Sequence, residues 1–266
     1  MKRLVLKFGG TSVGTIEKIK KVANIIKKRF NEGDEIIVVV SAMSGVTDEL
    51  KAKSDLISKN FDNKELDVLL SSGEQASCSL LSGALIELGV KARSWLGWQI
   101  PIVTNDNYTS SQIMKIKTDE ISNFISKKSV AVIAGFQGIS KESRITTLGR
   151  GGSDLSAVAI AKFFKADSCE IYTDVEGVLT TDPSINEKAK KIDKISYEEM
   201  LEMASLGAKV VQPYAVQASM IDNIPIYVKS TFSEKSGTKI IPESEIDYQK
   251  VVTGIAYSKG NAKVSV

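Results

Sequence analysis

The sequence predicts an α/β protein: a three-layer αβα sandwich with helices on both faces of a largely parallel central sheet. Three observations carry this. Runs such as Ile36-Ile37-Val38-Val39-Val40 and Val130-Ala131-Val132-Ile133-Ala134 are apolar throughout, as strands covered on both faces require. Segments with apolar residues three and four apart, the spacing of one helix face, stand between such runs. Strand and helix alternate along the chain, which fits parallel strands joined by helical crossovers.

Residues 4–6, Leu-Val-Leu, read as the first buried strand and lead to Gly9-Gly10-Thr11-Ser12. Ile16, Ile19, Val22, Ala23, Ile26 and Phe30 then mark a helix, with Lys18, Lys20, Lys21, Lys27 and Lys28 as its solvated face. The turn Glu32-Gly33-Asp34 opens the strand at 36–40. Helical patterns cover 46–58 and 66–88, followed by a strand at 92–96, a helix at 119–126 and the strand at 130–134. Residues 104–118 are polar and poorly periodic and read as a surface excursion; 140–150 read as a polar loop. A helix at 154–164 and a strand at 169–173 come next. Ser196-Tyr197-Glu198-Glu199 has the spacing of a capping box, with Gly207 as that helix's stop. Pro213 suits the first turn of another helix. Strands follow at 224–229 and 238–241, and no internal repeat or low-complexity tract interrupts the order. Proline and charge mark a boundary at 242–249. Residues 251–257 and 261–266 read as strand, turn, strand: a last hairpin of the main body or the opening of a second module.

Composition excludes more than it selects. With 266 residues, 42% hydrophobic and 25% charged, the chain has ordinary globular composition and enough length for a sizeable core. The formal charge of +3, from 35 basic and 32 acidic residues, is too balanced for a dedicated nucleic-acid or membrane-surface binder. There is no histidine, so Ser-His-Asp triads, Cys-His pairs, His-ligated zinc and phosphohistidine chemistry are excluded within the chain. Two cysteines, Cys78 and Cys169, exclude a four-cysteine zinc site and fit a reducing cytoplasm better than a disulfide framework. Only three apolar residues stand between the basic pair Lys2-Arg3 and Lys7, short of the ~7–15 of a signal-peptide core. The aliphatic runs are far below the ~20 residues of a membrane span.

Four small-residue loops sit at or near the carboxyl ends of expected strands, the edge where open α/β sheets bind ligands. They are Lys7-Phe8-Gly9-Gly10-Thr11-Ser12, Ser41-Ala42-Met43-Ser44-Gly45, Gly135-Phe136-Gln137-Gly138 and Leu148-Gly149-Arg150-Gly151-Gly152-Ser153-Asp154. The first and last lead into helices, whose N-terminal N–H groups suit a phosphate. Neither has the spacing of a P-loop or a dinucleotide fingerprint. Lys7 reads either as a lysine snorkelling from a strand end or as a point charge for a phosphoryl group. Lys209, inside Gly207-Ala208-Lys209-Val210-Val211, carries the same two readings. Asp154 fits an N-cap, Thr173-Asp174 closes a strand, and Asp182-Pro183 is by default a turn.

The segments KFGGTSVG (7–14), VVVSAMSGVTDEL (38–50), SSGEQAS (71–77), AGFQGIS (134–140), TTLGRGGSDLSAVAIA (146–161) and EIYTDVEGVLTTDP (170–183) resemble those of aspartate kinases. So do ISYEEMLEMASLGAKVV (195–211) and IPIYVKSTF (224–232), all in family order. The resemblance implies the amino acid kinase fold and transfer of the γ-phosphoryl of ATP to the β-carboxylate of L-aspartate. It implies a catalytic domain at 1–247, with an amino-acid lobe at about 1–150 and a nucleotide lobe at about 151–247. Residues 248–266 resemble the opening of a regulatory ACT domain that the chain does not complete. By the same resemblance Lys7 and Lys209 brace the phosphates, Asp154 organises those lysines, and Gly9, Gly10 and Ser41 bond the phosphates. Thr47, Glu74 and Arg150, with Gly151, Gly152 and Ser153, match positions that hold the amino acid. Thr173, Asp174, Leu179, Thr180 and Asp182 match nucleotide positions. Magnesium arrives with ATP, no residue being a metal ligand of its own, and a homodimer or a partner supplying ACT domains is implied. Kinases for glutamate or N-acetylglutamate, and a silent ligand-binding regulator, are the alternatives; the charge of Glu74 suits a free ammonium over an acylated nitrogen. Ser184, Gln212, Tyr214 and Glu176 depart from common family residues.

Overall fold

A central strand decides the layout, because the apolar run at 4–6 extends into β1 (Arg3–Phe8) and lies between two parallel neighbours. The computed structural model describes residues 1–208, 210–247 and 252–257. From β1 the chain runs through α1 (Ile16–Asn31) to β2 (Glu35–Val40), then α2 (Val46–Ile57), α3 (Asn63–Glu87) and β3 (Ala92–Trp95). Next come β4 (Ile102–Thr104), β5 (Ile113–Ile116), α4 (Asp119–Ile125), β6 (Val130–Ala134), β7 (Gln137–Ile139) and β8 (Ile145–Thr147). Then follow α5 (Gly152–Phe163), β9 (Ser168–Thr173), β10 (Lys194–Ser196), α6 (Tyr197–Ser205), α7 (Pro213–Ile221), β11 (Ile226–Ser230) and β12 (Thr238–Ile241).

Eight strands form one sheet in the order β10-β12-β11-β9-β1-β2-β6-β3. Every neighbouring pair is parallel except β11 with β12. Alternation along β1 sorts its side chains between two cores. Leu4, Leu6 and Phe8 pack with Ile19, Val22 and Ile26 of α1 and Cys78, Leu81 and Leu85 of α3. Val5 faces the opposite cluster, built on Ala157, Val158 and Ile160 of α5, Ile121 of α4, Met200 of α6 and Val216 of α7. The expected three layers are therefore present, and the single sheet crosses from the first 150 residues to the rest. Thr15 caps α1 and Asp62 caps α3, while Ser196 and Glu199 form the expected capping box on α6. Pro213 opens α7. No described helix is long and apolar enough to cross a membrane.

The structure corrects four expectations. Residues 104–118 and 140–150 are not simply excursion and loop, because β5-β4-β7-β8 form a second sheet. Its buried positions are partly polar: Thr104, Thr146 and Thr147 are buried as well as Ile102 and Ile116, and the hydroxyls of Thr104 and Thr146 bond at 2.6 Å. Apolar periodicity does not register such strands. Asp154 is not an N-cap; Gly151 holds that position. The lysine face of α1 is not wholly solvated, since Lys18 and Lys21 lie 5.3 and 5.1 Å from the centre of the Phe232 ring. Finally, residues 252–257 form no strand. The Ile255 N–H donates to Thr180 O at 2.8 Å and the Thr253 hydroxyl to Glu199, which draws this stretch onto the body as single contacts, not a ladder. The remainder of the expected hairpin, residues 258–266, lies outside the described residues.

Candidate functional site

The site begins with alternation on β1. Lys7 shares the face of Val5 and so points toward α5, where Asp154 stands in the first turn. Lys7 Nζ lies 2.7 Å from Asp154 Oδ1, with both side chains about nine-tenths buried. Asp154 Oδ2 accepts the backbone N–H of Gln212 at 3.3 Å, which ties the start of α7 to the same carboxylate. A buried ion pair gains little stability against a well-packed apolar pair, because both charges lose their water. Its presence here holds an ammonium at a fixed place.

A cavity of about 560 Å³ opens above this pair, lined by Gly10, Ser41, Thr47, Glu74, Arg150, Gly151, Gly152 and Ser153 together with Lys7 and Asp154. These residues, from Lys7 to Asp154 in the sequence, are brought together because β1 and β2 end side by side with α3 behind them. Glu74 lies on α3, 3% exposed. Its Oε1 accepts the Ala42 N–H at 3.0 Å, and its Oε2 is buried with no hydrogen-bond partner. Burial pushes its carboxyl up to about 7, against the opposing effect of the Ala42 N–H. Arg150 is exposed at the rim and has no ion-pair partner among the described residues.

Two helices start at the cavity: α2 after Gly45 and α5 after Gly151. Neither has a side-chain cap, so no side chain competes for their first-turn N–H groups, which favour an anion. Gly151 takes φ +70° and faces Gln212 so closely that an added Cβ would lie 2.2 Å from Gln212 Cγ. Gly9 is beside Lys7, an added Cβ there standing 3.2 Å from Nζ, and its N–H donates to Tyr172 O.

The expected nucleotide positions do not line this cavity. Thr173 ends β9, and its hydroxyl donates to Asp174 at 3.1 Å. Leu179 bridges to Lys191, and the Thr180 N–H donates to Lys190 O at 2.8 Å. Asp182 accepts the N–H and hydroxyl of Ser184 at 2.8 and 2.7 Å, the turn geometry expected of Asp-Pro. Ser184 thus serves the turn, and Glu176 pairs with Lys235 at 2.7 Å. Lys209 lies outside the described residues. The sequence did not single out Asp48, Lys51, Thr109, Phe136 and Thr147, which also line the cavity, as does Gln212, expected only as a departure from the family residue. Phe136 and Thr147 stood inside quoted motifs, whereas Thr109 carried no signal. Among the described residues no group of three acidic or cysteine side chains could hold a metal ion. Cys78 and Cys169 are buried and free, and burial pushes the Cys78 thiol up to about 12, so neither serves as a nucleophile. The arrangement can hold an anion that also carries a cationic group.

The pattern of the amino acid kinase family matches residues 2–230. The chain is 48% identical over its whole length to an aspartate kinase of Stutzerimonas stutzeri, of which it covers 65%. The crystal structure of an aspartate kinase from Synechocystis superposes with a TM-score of 0.82 at 45% identity, over 93% of this chain and 40% of that one. Aspartokinase III of E. coli, in complex with aspartate and ADP, superposes with a TM-score of 0.82 at 28% identity, over 92% of this chain and 65% of that one. The chain thus spans 65% of the length of the first curated relative it matches.

Proposed function

We propose, from the premise that the chain belongs to the amino acid kinase family, that it transfers the γ-phosphoryl of ATP to the β-carboxylate of L-aspartate, giving 4-phospho-L-aspartate and ADP. One observation carries the choice of acceptor: the buried, unpartnered Oε2 of Glu74 in the cavity that holds the Lys7–Asp154 pair. An α-ammonium supplies the missing partner, and Arg150 supplies two parallel donors for the α-carboxylate. An acylated nitrogen carries no charge and leaves Glu74 uncompensated.

The acceptor carboxylate, with an ordinary pKa of ~3.9, is ionised at neutral pH, so the reaction needs no general base. A chain without histidine is adequate for it. What the protein must do is bring two anions together and align them. Lys7 lies between the expected phosphate loop, Gly9 and Gly10, and the amino-acid side, where its charge offsets repulsion as the phosphoryl group moves. Asp154 keeps that ammonium in place. Ser41 and, at the N-terminus of α5, Ser153 add hydrogen-bond donors, Gly152 lets the ligand approach the backbone closely while its own N–H bonds Gly149 O, and Thr47 stands at the start of α2 on the amino-acid side. Lys209 joins Lys7 at the phosphates by family resemblance, and Thr173, Asp174, Leu179, Thr180 and Asp182 take the nucleotide beyond the end of β9. Magnesium comes as part of the nucleotide substrate, held by phosphate oxygens and water.

In this reading the first 150 residues hold the amino acid, 151–247 hold the nucleotide, and 248–266 begin a regulatory domain. The free cysteines fit a cytoplasmic protein, and the homodimer implied by family resemblance is checked by sedimentation. The test of function is hydroxylamine trapping with MgATP and either L-aspartate, L-glutamate or N-acetylglutamate. Hydroxamate from L-aspartate is expected; hydroxamate from N-acetylglutamate alone overturns the assignment.

A further inference from the structure

We propose that Asp67 is a positioning residue for the amino-acid end of this site, fixing the turn that carries Arg150 relative to Glu74. The inference rests on the aspartate kinase reading. Asp67 is fully buried on α3, seven residues before Glu74, so the two carboxylates share one face of the helix about two turns apart. Its Oδ1 accepts the Thr147 hydroxyl at 2.6 Å, and its Oδ2 accepts the Thr147 N–H at 2.9 Å. The Thr109 N–H lies 3.1 and 3.0 Å from the two oxygens. Both threonines line the cavity.

The carboxylate therefore grips the turn from two sides. Thr147 ends β8, immediately before Leu148-Gly149-Arg150. Thr109 has φ +67°, a left-handed conformation that a β-branched residue adopts only when held there. Its carbonyl backs Gly149, where an added Cβ would lie 3.1 Å from Thr109 O. Asp67 thus reaches Arg150 through Thr147 on one side and through Thr109 and Gly149 on the other. The same helix carries Glu74, so one rigid element sets the spacing between the group for the ammonium and the group for the α-carboxylate. Burial raises the Asp67 carboxyl, and the bonds from Thr147 and Thr109 oppose it. An amide replaces it only in part: asparagine's oxygen can take the Thr147 N–H and its NH₂ can donate to the Thr147 hydroxyl, but the Thr109 N–H then keeps one acceptor instead of two and the charge that strengthens all these bonds is lost.

The test compares KM for L-aspartate and for MgATP in the unmodified chain, Asp67→Asn, Thr147→Val and Thr147→Ser. Asp67→Asn should raise the aspartate KM about tenfold or more while the ATP KM moves less than about twofold. Thr147→Val should show the same split, and Thr147→Ser, which keeps the hydroxyl bonded to Asp67, should bring the aspartate KM back toward the parent value. A thermal melt accompanies each variant. Parallel change of both KM values, or a lowered melting temperature with the aspartate KM unchanged, overturns positioning in favour of a purely structural role. If Asp67→Asn does not fold, the Thr147 pair decides. Failure of the unmodified chain to phosphorylate aspartate refutes the functional reading and this inference with it; an unchanged KM ratio in active variants refutes the inference alone.

Discussion

Glu74 makes affinity for aspartate depend on pH in a direction the structure fixes. Burial raises its carboxyl from an ordinary 4.5 to about 7, so near neutrality the free protein holds it about half protonated. Binding an ammonium against Oε2 favours the ionised form, and aspartate must then displace a proton. The ionised fraction of such a group is about one-eleventh at pH 6 and about ten-elevenths at pH 8. The KM for aspartate should therefore fall about tenfold between pH 6 and pH 8 and level off above. Lys7, Asp48, Lys51, Arg150 and Asp154 line the same cavity, so the ATP KM, measured alongside, separates their effect from that of Glu74. In Glu74→Gln the side chain still accepts the Ala42 N–H but has no charge; its aspartate KM should be high and flat across the range. A parent profile without slope, or the same slope in Glu74→Gln, would falsify the assignment of Glu74 to the ammonium.

Linkage gives the same residue a second readout. A carboxyl whose folded-state pKa lies above its unfolded value stabilises the fold below the unfolded value and loses that contribution as pH rises through the folded one. The window here runs from 4.5 to about 7, and the loss is about 3 kcal/mol. Glu74→Gln escapes it. Denaturant melts should show the variant gaining on the parent as pH rises through this window, with no further gain above about pH 8. Added aspartate should shrink the difference, because the ligand supplies the missing partner.

Three further outcomes test the frame around Glu74. Lys7→Met should cut turnover by about a hundredfold or more and cost about 3 kcal/mol by leaving Asp154 buried alone; Lys7→Met with Asp154→Leu should recover the melting temperature but not the turnover, and recovery of both removes Lys7 from the chemistry. Gly151→Ala forces a side chain into φ +70° against Gln212 and should cost about 1–2 kcal/mol, with kcat/KM for aspartate falling at least about tenfold; unchanged kinetics would mean that the turn tolerates displacement. Ser196→Ala removes half of the α6 capping box and should lower stability by about 1 kcal/mol in a thermal melt, with both KM values unmoved; a kinetic defect would show that α6 communicates with the site.

What the sequence showed clearly depended on apolar contrast. The runs at 36–40 and 130–134 are strands because nothing polar interrupts them, and the stripe from Ile19 to Ile26 is a helix because its polar positions are strongly polar. The second sheet lacks this contrast. Its buried positions include Thr104, Thr146 and Thr147, which are satisfied by one another and by Asp67 and so need no apolar side chain. The capping box was legible because its residues are three apart. The Asp67 contacts were not, because their partners lie 42 and 80 positions away.

The place of the site follows from connectivity more than from any motif. From β1 the chain passes through α1 to β2 on one side, while α5 delivers β9 to the other side. Connections that leave a central strand in opposite directions open a crevice at its carboxyl end, and that is where Gly9, Gly10 and Ser41 stand. Helices α1 and α5 lie on opposite faces of β1, so side-chain alternation decides which helix each residue meets. Phe8 belongs to the α1 face and stacks on Tyr172 at 4.7 Å, whereas Lys7 turns to α5 and finds Asp154 across 147 positions of sequence. Moving the lysine one position along β1 would turn its ammonium to the face of Ile19, Val22 and Leu81, away from Asp154. The motif around Gly9 and Gly10 therefore works only with the lysine in the register it occupies, and a charge at position 8 could not substitute for it.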